Sequence, residues 1–191
     1  RDAAAALELT EDFIYDSLSN RFLAQEKLDR LLGAIGATRE DVTVRRAMLA
    51  HGSDVRIPQE FDEELLYLIG LVFGDGDLSL DARGGNRGMV RISNSDEALL
   101  ERAAGIIERK FDRPVEIEYQ EERVPSLQLN SATVARFFSN VGMESPKESL
   151  ELDSRLTTAE HADDFLRGLM DADGSVTRRA SGSSSIQLST I

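Results

Sequence analysis

Cysteine and tryptophan are absent from the 191 residues, and histidine occurs only at His51 and His161. Without cysteine there is no disulfide framework, no thiolate metal site and no cysteine nucleophile. Two histidines are too few for an obvious zinc site. No apolar run approaches the ~18 residues that cross a bilayer, and no leader-like segment opens the chain. The expectation is therefore a soluble, cytoplasmic protein with no membrane partner, and a chain opening on Arg1 reads as a fragment of something larger. Positive charge is scarce as well: 22 basic side chains stand against 35 acidic ones, a net charge of −13. Only Lys27, Lys110 and Lys147 are lysines, the other basic residues being arginines. Acid excess with little lysine reads as a salt-adapted composition. Such a charge ordinarily argues against a nucleic-acid partner. In molar salt the Debye length shrinks to about 3 Å, and net charge no longer excludes DNA.

What is present is enough to fold: 41% of residues are hydrophobic, consistent with one or two domains and a genuine core. Residues 1–58 read as a helical N-terminal segment in three pieces. Thr10 and Asp12 are candidate caps for a helix through Phe13, Ile14 and Leu18. A second helix carries Phe22, Leu23, Leu28, Leu31 and Leu32 and stops at the glycines Gly33 and Gly36. Thr38 with Asp41 predicts a third helix, running through Met48 and Leu49. From Phe61 the pattern changes. An almost wholly apolar helix reaches Gly74, and strands follow at Leu78–Leu80 and Met89–Ser93. Asn94 or Ser95 then caps a helix that Pro114 ends. Two further strands (Val115–Tyr119, Ser126–Leu129), a helix from Ala132 to Val141, and a last helix from Thr158 to Gly174 complete the order. The fold class is α+β.

The last helix begins a repeat. Leu68-Ile69-Gly70-Leu71-Val72-Phe73-Gly74-Asp75-Gly76 aligns with Leu166-Arg167-Gly168-Leu169-Met170-Asp171-Ala172-Asp173-Gly174 at an offset of 98 residues. Each copy runs on into similar strands, so the duplicated unit is a whole αββαββα module. It divides the chain into residues 59–158, the first repeat, and 159–191, an incomplete second one. Gly70 and Gly74, and Gly168 and Ala172, are small residues four apart on one helix face, the pattern of a tight helix–helix seam. Asp75 and Asp173 sit at the negative ends of their helices, an unfavourable place for a carboxylate. Packing the helices in parallel also brings the two acids together. Divalent cations between them relieve both penalties, and Mg²⁺, a hard ion held by one or two carboxylates, suits the site. A calcium loop starting at Asp75 is excluded, since its sixth and twelfth positions are Leu80 and Asn86.

Leu166–Gly174 resembles the nonapeptide motif of the LAGLIDADG homing endonucleases, and Leu68–Gly76 resembles a diverged first copy. The resemblance spans about residues 58–191. It implies two motif helices packed at a pseudo-two-fold axis, curved antiparallel sheets lying over double-stranded DNA, and metal-dependent double-strand cleavage at a long target. Asp75 and Asp173 would be the metal-binding catalytic acids, with Mg²⁺ or Mn²⁺ as cofactor. Lys147, ahead of the second motif, matches the position of a basic residue near the active site. Phe73 departs from the motif where Asp171 keeps an acid. Candidate DNA-binding residues are Arg83, Asn86, Arg87, Arg91, Arg123, Gln128, Arg178, Arg179 and Gln187, with Ser93, Asn94 and Asn130 adding polar groups.

The Ile57-Pro58 lead-in and the preceding helices resemble endonuclease domains embedded in inteins. The composition extends this to a haloarchaeal intein, with the MCM replicative helicase as host. Neither splice junction is identifiable. A full-length chain would act as a monomer, and the shortened one could self-associate. The alternative reading is a DNA-binding module that does not cut.

Overall fold

The computed structural model describes residues 10–19, 22–49, 52–81, 86–143, 152–178 and 184–188, without the side chains of residues 16, 18, 19 and 178. The chain forms two compact units, Arg1–Ala47 and Met48–Ile191. In the first, α1 (Glu11–Ser19) begins where Thr10 Oγ1 accepts from the Phe13 amide at 3.2 Å. Helix α2 (Gln25–Ile35) ends at Gly36, whose left-handed φ of 70° closes the last turn. The predicted third helix does not form. The Asp41 carboxylate does reach back to the Thr38 amide at 2.7 Å, but this pair closes only a 3₁₀ turn, Arg39–Asp41. The β-branched run Val42-Thr43-Val44 follows and disfavours helix, and the chain continues extended to the short strand β1 (Arg46–Ala47).

The second unit opens with β2 (Val55–Arg56) and then α3 (Glu63–Asp75). Asp62 caps α3 by accepting from the Leu65 amide at 3.0 Å, and Glu63 and Glu64 complement the positive end of the helix. All ten residues from Leu65 to Gly74 are buried, so α3 is the central helix of the unit. Strands β3 (Gly76–Leu80) and β4 (Gly88–Ser93) lead to α4 (Glu97–Phe111); β5 (Ile117–Glu118) and β6 (Ser126–Asn130) lead to α5 (Ala132–Asn140). The antiparallel sheet has the order β3-β4-β6-β5. Its alternation buries Leu78, Val90, Ile92, Leu127 and Leu129 against the helices. The short α6 (Ser154–Thr158) precedes α7 (Ala162–Asp173), which runs into a hairpin of β7 (Gly174–Arg178) and β8 (Ser184–Leu188).

Several predicted boundaries move: Phe22 and Leu23 precede α2, Gly33 lies inside that helix instead of stopping it, and the strand expected over Val115–Tyr119 shortens to Ile117–Glu118. Asp96, not Asn94 or Ser95, caps α4, accepting from the Ala98 and Leu99 amides. Asp112, in the left-handed region at φ 57°, ends that helix before Pro114 is reached. Thr158 closes α6 rather than opening the last helix, which starts at Ala162 behind an N-cap His161 that makes no side-chain capping bond.

Helices α3 and α7 touch backbone to backbone. A Cβ placed on Gly70 would lie 2.0 Å from the Phe165 carbonyl oxygen and 2.9 Å from the Leu169 nitrogen. One placed on Gly168 would lie 2.0 Å from the Tyr67 carbonyl oxygen and 2.9 Å from the Leu71 nitrogen. An offset of 98 residues relates one set of contacts to the other, so the seam has internal two-fold symmetry. The flanking side chains obey it in position but not in chemistry. Tyr67 donates its hydroxyl to Asp171 at 2.8 Å, while the equivalent pair, Phe165 and Phe73, packs edge to face at 5.7 Å. Phe73 is thus the partner of a phenylalanine where Asp171 is the partner of a tyrosine.

Gly70→Ala and Gly168→Ala are each expected to lower stability by about 2–4 kcal/mol in urea denaturation, because only backbone could yield. Gly33→Ala, in an open stretch of helix with no atom within 4 Å, should raise stability by about 0.5–1 kcal/mol. Equal effects at the three sites would contradict the backbone seam. Burial and the bond to Asp171 push the Tyr67 phenol up to about 12. Its stabilising contribution is complete below the ordinary ~10 and is lost as pH rises through about 12. Phenolate absorbance should show a step there that Tyr67→Phe removes.

Candidate functional site

Both seam helices pass into strands with no intervening loop. Asp75 is the last residue of α3 and Gly76 the first of β3; Asp173 and Gly174 repeat the junction in the second half. The glycines are not left-handed: their φ values are −83° and −82°, in the extended region. They are required because the strand leaves so close to its own helix. A Cβ on Gly76 would lie 2.2 Å from the Val72 carbonyl oxygen, and one on Gly174 2.3 Å from that of Met170.

The same crossing brings Asp173 to the end of α3 that carries Asp75. A Cβ on Gly74 would lie 2.3 Å from the Ala172 Cβ and 3.3 Å from Asp173 Oδ2, so the Asp173 carboxylate rests against the backbone just before Asp75. Both acids are half-buried. Asn94, at the end of β4, donates from Nδ2 to Asp75 Oδ2 at 2.5 Å. Its Oδ1 accepts from the Asp96 amide at 2.7 Å, which ties this orienting amide to the cap of α4. Sequence reasoning placed Asn94 among caps and base readers and missed this role. Two half-buried carboxylates at the negative ends of two helices form an all-oxygen donor set. That set fits a hard divalent cation completed by water or phosphate oxygens.

The sheet carries its polar residues on the face opposite the helices. The register sets Asp77, Arg91 and Gln128 in one row, Ser79, Met89 and Asn130 in the next, and Ser93, Ser126 and Glu118 in a third. Arg91 is ion-paired with Asp77 at 3.0 Å, and Gln128 donates to Asn130 at 3.4 Å. Asn86 and Arg87 are exposed at the end of the β3–β4 hairpin, and Arg123 is exposed in the β5–β6 turn. In the second hairpin Gln187 stands opposite Ser175. The structure therefore brings Arg91 and Gln128 onto one face, leaves Arg87 and Arg123 at its margins, and puts Gln187 on a separate sheet. Lys147, Arg83, Arg179 and the side chain of Arg178 lie outside the described residues. Among the described residues, no helix is long and apolar enough to cross a membrane.

No family model matches the chain. It is 29% identical over 112 residues to one subunit of the A-type ATP synthase of Methanopyrus kandleri, covering 59% of this chain and 10% of that protein. It is 28% identical over 144 residues to a differently named subunit of the A-type ATP synthase of Pyrococcus abyssi, covering 75% of this chain and 13% of that protein. The chain thus spans about a tenth of the length of the curated relatives it matches. Homing endonucleases are among the solved structures similar to it. They include a mesophilic variant of I-DmoI (TM-score 0.44, 21% identity, 59% of this chain and 62% of that one). I-DmoI in complex with DNA and Mn gives a TM-score of 0.43 at 21% identity, over 59% of this chain and 63% of that one. I-WcaI bound to its DNA recognition sequence gives a TM-score of 0.44 at 13% identity, over 61% and 54%.

Proposed function

We propose that this chain is the DNA-cleaving part of an intein-borne homing endonuclease, hydrolysing both strands of a long duplex site with the help of a divalent cation. The observation that carries the reading is the helix-to-strand junction. Two copies of one motif, 98 residues apart, deliver two carboxylates to the same end of a symmetric seam. Asp75 and Asp173 would hold the ion, Mg²⁺ or Mn²⁺, which supplies an activated water and neutralises charge on the scissile phosphate. Asn94 keeps Asp75 aimed at that position through its bond to Oδ2. The two-fold relation between the acids matches that between the two strands of a duplex, one acid addressing each strand. Lys147 is assigned to charge stabilisation at the phosphate.

The polar sheet face would lie in the major groove, with Arg91, Gln128, Asn86 and Gln187 reading base edges. The turn arginines Arg87, Arg123, Arg83, Arg178 and Arg179 would meet phosphates. Arg91 is held by Asp77, so engaging a guanine would require it to exchange one partner for another. Residence in an intein is supported by the way the curated matches fall. A short stretch within each of two long proteins, differently named, is the distribution expected of an inserted segment. The host suggested by the sequence, a haloarchaeal replicative helicase, rests on composition and resemblance.

Incubating the chain with genomic DNA of a salt-adapted relative in molar KCl and Mg²⁺, then sequencing new ends, should reveal one dominant cut site. Asp75→Asn and Asp173→Asn should each reduce cutting by about 10²–10³-fold, with footprinted binding retained. Binding without cutting in the unaltered chain would favour the DNA-binding module that does not cut. Neither binding nor cutting would overturn the DNA reading.

A further inference from the structure

The seam has a second end. Glu63 opens α3 and His161 is the N-cap of α7, and the two positions are equivalent under the offset of 98 residues. The symmetry that gathers Asp75 and Asp173 at the C-terminal end therefore gathers Glu63 and His161 at the N-terminal end. Asp164, one turn into α7, joins them: ligand atoms of Glu63, His161 and Asp164 all lie within 4.8 Å of one another. Carboxylates in the first turn of a helix are favoured by its dipole and need no further explanation. The histidine does. It occupies an N-cap without capping, and its Nδ1 stands 3.9 Å from Asp164 Oδ2, beyond hydrogen-bond range. Two ligands on a tetrahedral ion with bonds of about 2.0–2.1 Å lie about 3.4 Å apart, so a closure of about half an ångström lets this pair share one. Asp164 is only 8% exposed, and Arg167 holds its other oxygen, Oδ1, at 2.8 Å. Arg167 thus holds Asp164 through one oxygen and leaves the second facing the imidazole, as a hydrogen-bonded ligating carboxylate is held.

We infer that Glu63, His161 and Asp164 form a transition-metal site, of the kind that takes Zn²⁺, which ties the N-terminal ends of the two seam helices together. The donor set decides the metal class. One imidazole nitrogen with two carboxylates suits Zn²⁺ and its neighbours and is poor for Mg²⁺, which prefers oxygen and keeps its water. The site is also remote from the other acids, since twelve residues of helix separate Glu63 from Asp75, about 18 Å at ~1.5 Å per residue. The two ends of one helix pair would then hold two different ions. The Zn²⁺ site would act by clamping the repeats rather than by touching DNA, and it stands whether or not the chain cuts.

The test uses the full chain stripped of metal by a chelator, titrated with Zn²⁺ calorimetrically and with Co²⁺ by visible absorbance. One ion per chain should bind in the presence of excess Mg²⁺, with the melting temperature raised by about 5 °C at saturation. His161→Ala and Glu63→Gln should each weaken binding by about tenfold or more, and Asp75→Asn should leave it unchanged. Glu63 is exposed, so Glu63→Gln keeps the test valid should His161→Ala fail to fold. Absence of binding at about 100 μM Zn²⁺, equivalent to about 5.5 kcal/mol of affinity, would overturn the site. So would binding indifferent to both substitutions, or binding lost in Asp75→Asn.

Discussion

Where α3 and α7 cross, nothing but main chain separates them: a Cβ on Gly70 or Gly168 would sit 2.0 Å from a carbonyl oxygen of the other helix. Contact that close fixes the crossing point to within a single residue, because sliding either helix by one position would drive a larger side chain into backbone. The crossing point then sets everything at the helix ends. Five residues after each glycine comes an aspartate, so fixing the glycines fixes the acids. The second pair of glycines, Gly76 and Gly174, turns each chain straight into its strand against its own helix. Seam, acid pair and sheet are thereby joined without a flexible loop, which is what a site needing sub-ångström placement requires.

Symmetry governs position in this seam, while chemistry departs from it. The exchange of Tyr67–Asp171 for Phe165–Phe73 keeps each side internally matched, a hydrogen bond on one and an aromatic contact on the other. A mixed pair, phenylalanine against aspartate, would set the carboxylate against a ring that offers it no donor. The two repeats also differ in cover. Leu68, Leu78, Val90 and Ile92 are buried in the first, whereas Leu166, Val176, Ile186 and Leu188 at the corresponding places are exposed, 57%, 64%, 71% and 39% respectively. The first set lies under α4 and α5, and among the described residues no element covers the second.

Much of this was legible in the sequence because it is periodic. The apolar run of α3, the alternating strands and the offset of 98 residues are patterns that survive without coordinates. Caps written in single residues were legible too, as at Thr10 and Gly36. Illegible were the features set by a neighbour distant in sequence. The Thr38–Asp41 pair formed as read, yet the helix it announced gave way to three β-branched residues. Gly76 looked like a helix-ending turn, and its true constraint is a collision with Val72 that only the strand's direction reveals. The spacing of Asn94 allows a cap, while its amide donates to Asp75, 19 residues earlier in the chain. His161 looked solitary because its companion Glu63 lies 98 residues away.

The acidity of the chain has a local logic as well as a global one. Asp62, Asp96 and Asp153 cap α3, α4 and α6, and Glu63, Glu64, Glu97, Asp163 and Asp164 lie in first turns. Carboxylates there are stabilised by roughly 0.3–1 kcal/mol each through the helix dipole, so many of the 35 acids strengthen the fold that carries them. Among the described α-helices, only α3 and α7 have a carboxylate as their last helical residue, where the same dipole opposes it. A composition that places acids where helices favour them makes the two exceptions informative. In a chain of net charge −13, both exceptions fall where the negative ends of the two seam helices meet. Asn94 donates to Asp75 and fixes the direction of its carboxylate. Under the proposed function, a divalent cation shared with a phosphate is what would occupy oxygen donors so arranged.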